Sequence, residues 1–226
     1  KYRLIDGAYY LLGYCLAEEG EELWATRTFE DLVVRVKDSS FLAEVWTRIG
    51  EYYFNNNGLD QALEAYTKVL AYYDSPFYDK ALYKLAWTHY RRADPERSPN
   101  EYQEAVDFFI KLLDFNEKTK AAGDERGADL RPESMQYIAI SYADEVWGGL
   151  NKMLRYLKRI GKRPYRRDVL IALGDVYFDQ TRFAEANKVY RLLLKQYPKH
   201  REAPELLQKV VTTLERQRDF EGAAQS

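Results

Sequence analysis

VWTRIGEYYFNNNGLDQALEAYTKVLAYYDSP, residues Val45–Pro76, reads as a pair of helices joined by a turn. Gly50 sits midway along the first helix, preceded by apolar Ile49 and followed by Tyr53 and Phe54; Ala62 lies in the second, with Tyr66 four positions on. Helices approach closely only where side chains do not hold them apart, and a large ring then fills the space between neighbouring pairs. The arrangement recurs along the chain. First-helix small residues stand at Gly13, Gly50, Ala86, Ala139 and Gly174, degraded to Val211, with separations of 37, 36, 53, 35 and 37. Second-helix small residues follow at Ala25, Ala62, Ala105, Ala186 and Ala223, where the fourth repeat offers Met153 instead. Bulky residues come four later at Phe29, Tyr66, Phe109, Leu157 and Tyr190. A fixed period of this length is the mark of a solenoid. The expectation is one all-α domain over 1–226, of about five to six helix-turn-helix repeats at 6–39, 43–76, 79–115, 132–165, 167–200 and, in part, 204–226.

Composition agrees with that class. The 226 residues are 46% hydrophobic and 31% charged, enough for a core and too apolar for a disordered chain. Only 12 Gly and 7 Pro argue against a many-stranded β fold. A net charge of −2 gives no global pull toward nucleic acid or an acidic membrane. One cysteine, Cys15, excludes an internal disulfide framework, and no apolar run reaches the length of a membrane span. The chain opens inside an apparent helix, KYRLIDGAYYLLGYCLAEE, without an initiator Met. It reads as an excised segment of a longer protein.

Val45–Pro76 resembles a tetratricopeptide repeat almost slot by slot, through Trp46, Ile49, Gly50, Tyr53, Ala62 and Tyr66. VLIALGDVYFDQTRFAEANKVYRLLLKQYPKH, Val169–His200, matches through Leu173, Gly174, Tyr177, Phe183, Ala186, Tyr190 and Pro198. The resemblance implies a right-handed superhelix with a concave groove lined by the first helix of each pair. It also implies a non-catalytic scaffold or adaptor that holds a partner's peptide or helix there. The junctions of DSPF type, with GEYYF and LLLKQYPKH, resemble those of bacterial cell-envelope and gliding-motility repeat proteins. That implies a periplasmic or outer-membrane-attached assembly, with a cytoplasmic location as the alternative. At the junctions, Asp38, Ser39, Ser40, Asp74 and Ser75 are expected to supply helix-capping oxygens, and Pro76 suits a first helical turn. RRADPERSPN, Arg91–Asn100, widens one turn, and residues 117–131 separate the third and fourth repeats as a loop or hinge.

Material for catalysis is sparse. His89 and His200 have no Cys or second His at ligand spacing, Cys15 lies in an apolar helix as an expected buried thiol, and no phosphate loop or nucleophile elbow is present. No enzyme activity, cofactor or metal is expected. The groove register is more informative. It places Tyr10 and Tyr14 in the first repeat, Thr47, Glu51 and Phe54 in the second, Lys80, Tyr83, Lys84, Trp87, Tyr90 and Arg91 in the third, Gln136 and Ile140 in the fourth, and Ile171, Asp175 and Phe178 in the fifth. Aromatic side chains bury much area at low entropic cost, which suits a peptide ligand. Lys80 and Lys84 invite comparison with the family's carboxylate clamp, but Tyr14 and Arg48 stand where that clamp needs Asn, so chaperone binding is not implied. Separately, Lys152, Arg155, Lys158, Arg159, Lys162, Arg163, Arg166 and Arg167 form an acid-free stretch, leaving 26 positive against 36 negative residues elsewhere. A basic outer face docking an acidic protein is the favoured reading of it. Nucleic-acid binding is the alternative, as is a regulatory domain fused to an enzyme.

Overall fold

The computed structural model describes residues 4–123 and 128–225. Among them every regular element is helical: α1 (Ile5–Glu18), α2 (Glu22–Arg35), α3 (Leu42–Asn55), α4 (Leu59–Val69), α5 (Tyr78–Arg92), α6 (Pro99–Ala121), α7 (Arg131–Ala143), α8 (Leu150–Arg159), α9 (Arg166–Asp179), α10 (Phe183–Gln196) and α11 (Ala203–Gln225), with a 3-10 turn at Ala128–Leu130. The fold is an all-α solenoid of antiparallel helix pairs. It packs as two compact units, residues 1–130 and 131–226.

In the first unit α1 pairs with α2, α3 with α4 and α5 with α6, while α2 also packs on α3 and α4 on α5. The small-residue slots explain the pairing. A Cβ added to Gly50 would lie 2.5 Å from Cε1 of Tyr66, so the ring occupies the space that only glycine leaves. Phe29 fills the same position against Gly13. In the second unit Tyr190 does so against Gly174, again 2.5 Å from the added Cβ, and α10 packs on both α9 and α11. Ala86 and Ala139 hold the equivalent slots and are fully buried.

Five local features differ from expectation. First, α7 packs mainly on α9 and only lightly on its own partner α8. The connection is drawn tight: the Gly149 amide donates to the Tyr142 carbonyl at 2.6 Å, with Gly149 at φ +106°. Tyr142, Trp147 and Tyr156 cluster there, and the fully buried Met153 replaces the small residue that would admit close helix approach. Second, the partial sixth repeat expected over 204–226 is one continuous helix, α11, so Ala223 lies in the same helix as Val211 and not in a following one; the side chain of Ala223 lies outside the described residues. Third, Cys15 is exposed rather than buried; among the described residues α1 packs chiefly on α2, and Cys15 lies off that contact. Fourth, Ser39 and Ser75 each accept an amide, from Phe41 and Phe77 at 3.2 Å, but these brace the turn before the helix, and no side chain caps α3 or α5 itself. Pro76 likewise precedes α5. Fifth, Thr47 is buried and donates to the Ala43 carbonyl at 2.8 Å, so it faces the core and not the groove.

Of the expected separating stretch 117–131, residues up to Ala121 continue α6, and 124–127 lie outside the described residues. No described helix is long and apolar enough to cross a membrane.

Candidate functional site

Helices α3 and α5 bring five of the expected groove residues to one cleft. Tyr83, Lys84, Trp87 and Arg91 recur at helical spacing along one face of α5, and Phe54 comes from the last turn of α3. Together they line a space of about 310 Å³. The Arg91 guanidinium fixes its wall by donating to the Phe54 carbonyl at 2.7 Å and to Oδ1 of Asn57 at 3.1 Å. It also lies 4.4 Å from the Phe54 ring centroid, a cation-π contact. Asn57, at φ +61°, is the left-handed residue that ends α3 and turns its amide oxygen to this role. Lys84 Nζ approaches the same ring at 5.1 Å. Phe54 is thus held between two cations.

The floor is an edge-to-face ladder. Trp87 meets Tyr83 at 6.2 Å and Tyr90 at 5.9 Å between centroids, and Tyr83 and Tyr90 continue onto Phe109 and Tyr102 of α6. Offset and perpendicular ring contacts of this kind orient side chains beyond what area burial does. The site therefore offers ordered aromatic surface with positive charge at its rim.

The other expected groove residues are placed differently. Lys80 leans over Phe77, 5.5 Å from its centroid, and Tyr90 extends the ladder without lining the cleft. Tyr10 is engaged in packing: it stacks on Phe41 at 4.2 Å and donates to Glu44 at 2.9 Å, and burial followed by that acceptor raises its pKa. Tyr14 is exposed, with the Arg48 guanidinium 5.3 Å from its ring. Glu51 lines a separate cleft of about 260 Å³ with Arg48, Tyr52, Asn55 and Glu22.

The basic stretch divides. Lys152 is held by the Trp147 carbonyl at 2.6 Å and over the Trp147 ring at 3.6 Å, with its pKa lowered by burial and then by Arg155. Arg167 is buried and pairs with Glu202 at 2.5 Å, which draws the carboxyl below its ordinary pKa. Arg167 thus belongs to the core of the second unit, whereas Lys152 is half-buried and lines a cleft of about 440 Å³ with Arg155, Arg182 and Lys188. Arg155, Lys158, Arg159 and Lys162 are exposed. Lys158, Lys162, Arg163 and Arg166 line a cleft of about 520 Å³ with Leu157 and Tyr197.

A further cleft holds Asp175 and Phe178, two of the groove residues expected in the fifth repeat, while its α11 wall was missed in the sequence. Asp175, Phe178, Asp179 and Tyr190 face Glu205, Gln208, Lys209 and Thr212 of α11 across about 400 Å³, with Asp175 accepting from both Tyr190 and Lys209 at 2.7 Å. The spacing 205, 208, 209, 212 marks one helix face and was the available signal. Among the described residues no group of three or more His, Cys, Asp or Glu side chains could hold a metal ion.

Residues 47–115 and 168–200 each match a tetratricopeptide-repeat family model. Among solved structures, a tetratricopeptide-repeat protein from Parabacteroides merdae aligns with a TM-score of 0.51 at 14% identity, covering 97% of this chain and 79% of that one. A thermophilic protein of the same repeat type from Thermus thermophilus aligns with a TM-score of 0.43 at 20% identity, covering 92% of this chain and 98% of that one. No curated protein matches the chain in sequence. Repeats of this kind mediate protein–protein interaction and are typically non-catalytic. With its paired small residues and rings at Gly13–Phe29, Gly50–Tyr66 and Gly174–Tyr190, the chain carries tetratricopeptide repeats, matched by the family models over residues 47–115 and 168–200.

Proposed function

We propose that the chain is a non-catalytic scaffold that captures a partner peptide or helix in the cleft between α3 and α5. The observation that carries this reading is the pre-ordered wall of Phe54, Tyr83, Lys84, Trp87 and Arg91. Arg91 is already spent on the Phe54 carbonyl and Asn57, so it builds the wall, while the Lys84 ammonium faces Phe54 and the open space. A ligand with one apolar anchor over Trp87 and an acidic group near Lys84 fits that chemistry.

The test is selection of peptides from a displayed library on the intact chain, followed by calorimetry of the winners. Trp87→Ala should weaken them by about tenfold or more, as truncation of a central aromatic anchor does. Lys84→Glu should penalise acidic winners most. Peptides that bind a folded Trp87→Ala variant unchanged would remove the cleft from the proposal. The assembly served is proposed to lie in a bacterial cell envelope, supported by the junction sequences alone. Fractionation of the source cells with an antibody to the chain tests this, and recovery only with cytoplasmic proteins would overturn it.

A further inference from the structure

Arg92 pairs with Asp60 and Glu101, Arg182 with Glu185, and Lys209 with Asp175. The cleft at the end of α8 is built differently. Met153, Tyr156 and Leu157 turn the apolar side of α8 inward, which leaves Arg155, Lys158 and Arg159 on the outside. Gly161, at φ +81°, then takes the left-handed turn that ends the helix. From there the chain runs through Lys162 and Arg163 to Arg166, the first residue of α9. Lys158, Lys162, Arg163 and Arg166 thereby share one cleft of about 520 Å³ with the buried Leu157 and with Tyr197 at the end of α10. All of these residues lie in the interior of the chain, with described helices on either side.

Among the described residues no carboxylate lines that cleft, and Lys158, Lys162 and Arg166 have no ion-pair partner. Arg163 is engaged, its guanidinium donating to the Lys162 carbonyl at 3.1 Å. The acids close by in sequence are committed to other cations. Asp168 lies 3.5 Å from Arg167 and 3.9 Å from Arg131, and Glu202 accepts from Arg167 at 2.5 Å. A cleft lined by one sign of charge focuses its field and concentrates ions of the opposite sign. These cations surround one concavity, so the charge that offsets them is compact. A phosphoryl group fits, since it carries about two negative charges and three strong acceptor oxygens on a single centre. Guanidinium forks and lysine ammonium groups are its usual ligands. The volume is that of a small-molecule site. A nucleic-acid strand would call for open rings on which to stack bases, and the rings along α8 are taken: Arg159 lies 5.1 Å from the Tyr156 centroid and Lys152 lies 3.6 Å from that of Trp147.

We propose that this cleft binds the phosphoryl group of a small phosphorylated molecule, with Lys158, Lys162 and Arg166 as its cationic ligands. The site lies within the second unit, on other helices than the α3–α5 cleft, and does not rest on it. A ligand that binds only the folded chain also stabilises it, so occupancy raises the Tm as well as releasing or absorbing heat.

The test is calorimetric titration of the intact chain with inorganic pyrophosphate at constant, near-physiological ionic strength. Saturable binding of one equivalent is expected, with citrate, a carboxylate anion of similar charge, binding far more weakly. Lys162→Gln and Arg166→Gln should each weaken pyrophosphate by about threefold to tenfold while the chain keeps its helical circular dichroism. Arg159→Gln removes the same charge from the outer face of α8 but not from the cleft, and should leave the affinity unchanged. Absence of saturable binding overturns the proposal. So does equal binding of citrate, or an equal loss in Arg159→Gln, because either reduces the effect to net charge. Tighter binding to vesicles containing phosphatidic acid, or to single-stranded RNA, than to pyrophosphate overturns the small soluble ligand in favour of a membrane or nucleic-acid surface.

Discussion

Helix pair α3/α4 and helix pair α7/α8 descend from the same pattern and close in different ways. In α3/α4 the Tyr66 ring enters the space beside Gly50, and the two helices meet along their length. In α7/α8 the slot residue is Ala139, the second helix presents Met153 where others carry alanine, and α7 turns to α9 for its main contact. The difference teaches that the repeat is specified by a matched pair, small residue against ring. The surrounding apolar rhythm alone does not specify it. Where the second helix lacks its small residue, the pair loosens and a tight glycine turn with its aromatic cluster takes over.

The comparison is broken most severely by removing the ring. Tyr66→Ala leaves a cavity between α3, α4 and α5, and should cost about 3–5 kcal/mol in urea unfolding, in the range of large aromatic truncations. Filling the other half of the pair costs less. Gly50→Ala places a methyl against the Tyr66 ring and should cost about 1–3 kcal/mol, whereas the reverse change Ala139→Gly should cost about 1 kcal/mol, mostly helix propensity. Equal effects at Gly50 and Ala139 would erase the distinction drawn between the pairs. Gly149→Ala probes the substitute device. Its φ of +106° lies in the left-handed region, so the change should cost about 1–2 kcal/mol, read as faster amide exchange in α8 with little change in α3 or α4.

The smallest expected effect is at Asp79, a buried carboxyl in the first turn of α5 whose Oδ1 has no hydrogen-bond partner among the described residues. Burial raises its pKa above 3.8, against opposing amides of Lys80 and Asp79 itself. A raised folded pKa means the folded state binds the proton more tightly, so stability is lost as pH rises through that value. Asp79→Asn should therefore raise the Tm at pH 7, and the gain should shrink toward zero as pH falls below about 4, the ordinary aspartate range. A gain that is flat with pH would place its origin in packing.

Most of this fold was legible because the small residues and rings are read in fixed slots. Gly13, Gly50 and Gly174 each face the ring that the spacing assigns them. The cleft residues were legible for a similar reason, since Tyr83, Lys84, Trp87 and Arg91 share one helix face by periodicity alone. What escaped depends on neighbours that no local pattern names. Lys80 and Lys84 lie on one face of α5, yet one leans over Phe77 and the other over Phe54. Arg167 sits at the end of an acid-free basic stretch, but its partner Glu202 is 35 positions away. Cys15 reads as core from its apolar company and is exposed because it lies off the contact of α1 with α2. The fourth repeat was weak in sequence, and its rearranged packing on α9 turns on the turn geometry around Gly149.

The connection between α5 and α6 closes on itself. Asp94 accepts the amides of Glu96 and Arg97 at 2.9 and 2.7 Å, Ser98 donates to the Arg92 carbonyl at 2.7 Å, and Asp94 and Ser98 form a bridge of their own. Beneath it, His89 and Arg92 clasp Glu101 and tie the two helix ends together without using the connection at all. Such a joint leaves the segment between Asp94 and Ser98 open to evolutionary lengthening. It is equally a natural port for an engineered epitope or affinity tag, where added residues would hang from a sealed seam and leave the helix pair below unaware of them.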